Sequence, residues 1–102
     1  MSSCAGSEPF ALQVLGNSME PEFPDGSIII VEPGVVVEDG SYVVAHQGED
    51  VILRQLSIQN EFWNLIALNT EYPDISISGV KEIRGRVIQR AGKRRKDRKS
   101  YI

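Results

Sequence analysis

The strongest constraint on this chain is a succession of short alternating runs punctuated by turn signals, with no internal repeat and no window that sustains an apolar period of 3.6 residues. FALQVLG (10–16) alternates and stops at Gly16. Pro24-Asp25-Gly26 then opens SIIIVEP (27–33), a run so apolar that a central strand is expected. Glu38-Asp39-Gly40 opens SYVVAH (41–46), and QGED (47–50) reads as a four-residue loop joining it to VILRQLSIQ (51–59) in a hairpin. After a polar break at Gln59 and Asn60 comes EFWNLIALN (61–69). TEYPDISISG (70–79) reads as loop with a short edge strand, because Pro73 lacks the amide a central strand needs. VKEIRGRVIQRAG (80–92) closes the ordered part, with Ile83, Val87 and Ile88 as core contributors. Six or seven closely spaced strands predict one mostly β domain, a partly closed barrel or a coiled sheet.

A 102-residue chain fits a single domain that buries roughly two-thirds of the surface its unfolded form exposes. Its 41% hydrophobic and 25% charged residues are those of an ordinary globular protein, which excludes disordered and collagen-like classes. No apolar run nears the roughly 20 residues of a membrane-spanning helix, and MSSCAGSEPF lacks the basic and apolar regions of a signal peptide. A cytoplasmic protein with no membrane partner is expected. The single cysteine, Cys4, allows no intrachain disulfide, and nothing basic lies near it in sequence to activate the thiol. One histidine, His46, makes no metal-ligand cluster, so neither metal nor other cofactor is expected.

The charges are segregated. Residues 1–80 carry twelve acidic side chains and one basic one, Arg54, whereas residues 84–99 carry nine basic side chains against Asp97 alone. An acidic body is followed by a basic tail. The expected divisions are a mobile N-terminus (1–9), the β domain (10–92) and the tail (93–102), which holds too few apolar groups to fold by itself.

Gln13 to Gly26, QVLGNSMEPEFPDG, places Ser18 between an apolar run and a turn. A serine hydroxyl is a weak nucleophile until a neighbour takes its proton. No Ser-His-Asp arrangement can be argued from one histidine and a dozen carboxylates, and His46, at a strand end, is expected to be a surface residue rather than a base. The other chemical solution is a Ser-Lys pair in which a buried lysine is neutral.

Gly16-Asn17-Ser18-Met19-Glu20-Pro21, the turns Asp25-Gly26 and Asp39-Gly40 opening two strands, VILRQL (51–56), Asn69, Tyr72-Pro73 and Ile83-Arg84-Gly85-Arg86-Val87 occur here in order. Together they resemble the peptidase domain of LexA, UmuD and phage repressors, a family tied to the SOS response. The Ser-Met-x-Pro element is also similar to that of type I signal peptidases, which share the fold. The resemblance spans about residues 10–90. It implies a mostly β fold, Ser18 as nucleophile with Met19 and Pro21 lining the site, a lysine base on the later hairpin strand, dimerisation, and cleavage of the protein's own chain at a small-residue–glycine bond. The Ser18 amide would be a candidate oxyanion donor.

The departure is at the base. Where the family pattern has lysine, Val51-Ile52-Leu53-Arg54-Gln55-Leu56 has Arg54. Lysine can lose its proton on burial; a guanidinium, with a pKa above about 12, stays charged. Arg54 interrupts an apolar strand, so it should either anchor a local hydrogen-bond network, paired with carbonyls or nearby acids, or face a ligand such as a carboxylate or a peptide beside Ser18. Two functions follow: a weakened or inactive relative that dimerises and binds a peptide or protein partner, or an active serine endopeptidase.

Ala5-Gly6 resembles a family cleavage site, but the short span to Ser18 makes folding back strained. The helix-turn-helix domain that precedes the peptidase domain in repressors is not seen, so a stand-alone domain is expected. In the tail, Lys93, Arg94, Arg95, Lys96, Arg98 and Lys99 are candidates for polyanion contact. Nucleic acid is the less favoured partner: no aromatic residue is interleaved there, the acidic body would repel it, and a solvated tail folding back onto the acidic surface of the body or of a partner subunit is expected instead.

Overall fold

The computed structural model describes residues 8–34, 36–91 and 98–101. They form a single mixed-length antiparallel sheet of eight strands: β1 (Phe10–Gln13), β2 (Ile28–Glu32), β3 (Tyr42–Gln47), β4 (Asp50–Gln59), β5 (Phe62–Ile66), β6 (Ile75–Ile77), β7 (Ile83–Ala91) and β8 (Lys99–Ser100). The spatial order is β1-β2-β7-β3-β4-β5-β6, with β8 also pairing β7. The sheet does not close, so the expectation of a mostly β single domain holds in its coiled-sheet form.

β7 supplies the coil. One register shift lies between Ile30 and Val31 against β7, another between Val44 and Ala45. Each leaves an extra residue on β7, Ile88 and Arg84 respectively, and such bulges bend a strand and increase its twist. β7 thereby serves β2 along one part of its length and β3 along the other. Gly85 sits where β7 crosses β2; a Cβ there would lie 2.6 Å from Val31 Cγ1.

The turns follow local chemistry. The β3–β4 ladder extends to Gln47↔Asp50, so the hairpin loop is the two residues Gly48-Glu49, tighter than the four-residue loop expected from sequence. Gly48, at φ +63°, makes this possible. β2 is an interior strand but second from the edge. Ile29 and Val31 are buried, yet Ile28 is 39% exposed, so the apolar run does not mark the centre of the sheet. That place belongs to β7, β3 and β4.

β3 separates two apolar clusters. Val44 points into one with Val14, Met19, Phe23, Ile29, Val31, Leu53, Ala67 and Val87; Val43 and Ala45 point into the other with Leu56 and Leu65. Strand alternation accounts for the division.

The chain end contributes to the first cluster. Lys99 and Ser100 pair with Arg90 and Gln89, and the Tyr101 ring lies 5.3 Å from Phe23 and 5.4 Å from Tyr42. The basic tail therefore does not simply leave the domain at residue 92: its last described residues are ordered by packing on the body. Lys93, Arg94, Arg95 and Lys96, like Cys4, Ala5 and Gly6, lie outside the described residues.

Candidate functional site

Residues 14–27 form a closed excursion between β1 and β2. Val14 and Ser27 pair through Val14 N–H to Ser27 O at 2.7 Å, and Gly26 N–H donates to Val14 O at 2.7 Å. Inside this base, Gly16 N–H donates to Asp25 Oδ1 at 2.6 Å. Met19 and Phe23, both fully buried, anchor the excursion in the first cluster and leave Ser18 half-buried at its surface. Met19 thus fixes the turn from beneath. Pro21 is exposed, after a cis peptide bond.

A second loop clamps Ser18. Asn69 N–H donates to Ser18 O at 2.9 Å, and Asn69 Nδ2 donates to Asn17 O at 3.2 Å. Tyr72 Oη donates to Asn17 Oδ1 at 2.8 Å. Sequence reasoning quoted Asn69 and Tyr72 only as parts of a pattern. Their role rests on contacts across more than fifty residues, for which no local signal exists.

Arg54 meets Ser18 directly: Nη1 donates to Ser18 Oγ at 3.0 Å and to the Leu53 carbonyl at 2.8 Å. By alternation position 54 shares a face with Ile52 and Leu56, which pack in the second cluster. Its guanidinium can still reach Ser18 because β4 leaves β5 at Gln55, and among the described residues, 50–54 pair with β3 alone, leaving an open edge. The ring of Tyr72 lies 5.6 Å from Cζ, within cation–π range.

Arg54 is 8% exposed. Burial holds its guanidinium below the ordinary arginine value, with Tyr72 acting in the opposite direction. It stays charged at neutral pH, since arginine does not deprotonate in proteins. Among the described residues no carboxylate forms an ion pair with it. Pairing with nearby acids, one of the sequence expectations, is therefore not what is found; the network runs to a hydroxyl, a carbonyl and a ring.

His46 lies elsewhere, its Nε2 3.0 Å from Arg84 Nη1. No described contact links it to Ser18. Around Ser18 and Arg54 opens a cleft of about 260 Å³ lined by Leu12, Val14, Leu15, Ile29, Val44 and Val51 among others. Two exposed apolar residues, Leu15 and Val51, stand at its sides.

The site thus presents a clamped serine hydroxyl, a guanidinium donor and an apolar cleft, on the fold that the sequence pattern implied. A family model described as Peptidase S24-like matches residues 2–88. The chain belongs to the Peptidase S24-like family. This S24-like chain is 39% identical over 87 residues to the HTH-type transcriptional regulators of the conjugative elements R391, from Providencia rettgeri, and SXT, from Vibrio cholerae. It is 33% identical over 84 residues to the LexA repressor of Oleidesulfovibrio alaskensis. Those alignments take in 78% and 79% of this chain but only 40% and 41% of the relatives. The S24-like chain spans about two-fifths of their length.

Among the described residues, Arg86, Arg90 and Lys99 of the basic segment are engaged within the chain. Lys99 Nζ reaches Glu22 Oε2 at 2.7 Å, and Tyr101 Oη donates to the same oxygen at 2.6 Å. Arg90 donates to the Glu22 carbonyl and approaches its carboxylate at 3.5 Å. Lys99 and Tyr101 hold the Glu22 carboxyl below the usual carboxylate range. Arg86 lies 3.9 Å from Glu38, and Arg98 is exposed. Among the described residues no group of His, Cys, Asp and Glu is arranged to hold a metal ion, and no helix is long and apolar enough to cross a membrane.

Proposed function

We propose that this S24-like domain is a cytoplasmic, dimerising module that binds an extended peptide segment beside Ser18 and has lost most or all peptidase activity. The observation that carries this reading is the Arg54 Nη1 to Ser18 Oγ hydrogen bond at 3.0 Å. A guanidinium in that position only donates, so it stabilises the hydroxyl oxygen and takes no proton from it. The cleft supports the binding half of the reading. Among the described residues β1 lies at one end of the sheet and residues 50–54 of β4 lack a second strand neighbour, so both offer backbone edges to an added strand.

Treatment with a serine-directed fluorophosphonate and incubation with a peptide library test the proposal together. The expected result is no covalent labelling at Ser18 and no cleavage between pH 6 and 10. Cleavage by the purified protein that disappears in Ser18→Ala would overturn the inactive reading in favour of a serine endopeptidase. The tail cations Lys93, Arg94, Arg95, Lys96, Arg98 and Lys99 enter the proposal only as a minor polyanion contact, since Lys99 is paired with Glu22.

A further inference from the structure

Resting on the reading of the cleft as a segment-binding site, we propose that Arg54 makes it a receptor for the free C-terminal carboxylate of a peptide ending in an aliphatic residue. A buried charge without a counter-ion is costly, and the structure leaves this one without a carboxylate partner among the described residues. Arginine has five N–H donors. Nη1 uses both of its own on Ser18 Oγ and Leu53 O, Nε is buried without an acceptor, and no described residue accepts from Nη2, which is the edge of the guanidinium left for an entering carboxylate. A carboxylate brought to this guanidinium would gain charge-assisted hydrogen bonds in a poorly solvated place, where they are strongest.

Shape and surrounding charge narrow the ligand. About 260 Å³ walled by Leu12, Val14, Leu15, Ile29, Val44 and Val51 accommodates one aliphatic side chain together with a terminal carboxylate. Beyond Gln13, Ser18, Arg54 and Tyr72 the lining is aliphatic or backbone, and Arg54 is its one charged side chain among the described residues. The twelve acidic residues among the first eighty repel a polyanion over long range, whereas a single carboxylate in contact with the guanidinium is governed by the local pair. The Ser18 hydroxyl, accepting from Nη1, keeps its own proton available to donate to the carboxylate.

Three capped pentapeptides in titrations of the wild-type protein test this: acetyl-Ala-Ala-Val-Ala-Leu with a free carboxylate, the same peptide as its amide, and an amide with Glu in place of Leu. Affinities come from calorimetry, and the Arg54 Nε–H resonance is followed by NMR. The free acid is expected to bind at least tenfold tighter than either amide and to shift the Nε–H signal. In Arg54→Gln, and in Arg54→Met should the first variant fold poorly, the acid and amide should bind within twofold of each other. Equal affinity of acid and amide for the wild type overturns the carboxylate proposal and leaves the segment-binding reading standing. Equal or tighter binding of the Glu amide overturns the assignment to a chain terminus. Failure of all three peptides to bind overturns the segment-binding reading as well.

Discussion

Arg54 Nη1 donates a 3.0 Å hydrogen bond to Ser18 Oγ, so the side chain at the expected base position is in contact with the expected nucleophile and has the wrong proton chemistry for it. Geometry and reactivity separate here. The position keeps the reach of a Ser-Lys pair, and the residue type removes its ability to accept a proton.

Arg54→Lys is the direct consequence. Desolvation at this site disfavours the charged form of any cation, so the introduced ammonium should titrate below the ordinary lysine value and become a base. Peptide or ester hydrolysis should rise at least tenfold over wild type and increase with pH through that lowered pKa. Arg54→Met, which fills similar space without a donor or a base, should show no such gain. A flat rate for Arg54→Lys between pH 6 and 10 would mean that more than the base has been lost.

Glu22 predicts acid sensitivity. Its folded pKa lies below the ordinary carboxylate value, chiefly through the hydrogen bond from Lys99 and then that from Tyr101. The stabilisation is therefore complete above about pH 4.5 and is lost as the pH falls through the lowered folded value. Lys99 is half exposed, at 49%, which limits the effect to about 1 kcal/mol. Urea denaturation followed by Trp63 fluorescence should show wild type more stable than Glu22→Gln at pH 7, with the gap narrowing as the pH is taken progressively below the ordinary carboxylate range. A gap of constant size across that range contradicts the assignment.

Gly85→Ala tests the crossing of β7 over β2. The added methyl would lie 2.6 Å from Val31 Cγ1 and 3.0 Å from Glu32 O. Val31 is fully buried and Glu32 O is backbone, so neither moves freely. Overpacking of this kind costs about 1–3 kcal/mol, and a lowered urea midpoint with an unchanged m-value is expected. An unchanged midpoint would show that the two strands can separate without penalty.

How much of this was written in the sequence differs between elements. Period-2 alternation and Gly-bearing turns placed the strands, and Pro73 correctly kept 70–74 out of the ladder, because these signals act over a few residues. The register was less legible: Gly48 tightened a loop that the sequence suggested was longer, and the bulges at Arg84 and Ile88 arise only when β7 meets two partners. The run 27–33 looked central because its composition is uniformly apolar. Sheet order depends instead on what packs on each side, and the second face of β2 is only partly covered at Ile28.

By itself, then, the sequence determined the β architecture, the turn that carries Ser18 and the identity of the residue at position 54, each through local periodicity, turn chemistry or side-chain type. Only the tertiary structure decided that Arg54 reaches Ser18 around an open strand edge with no acidic partner among the described residues, and that Asn69 and Tyr72 hold Asn17 and Ser18 in place. It likewise decided that Lys99 and Tyr101 meet at Glu22. These contacts join residues 36 to 79 positions apart, where chain entropy opposes each meeting and the packed sheet that overcomes it leaves no mark in any local stretch of sequence.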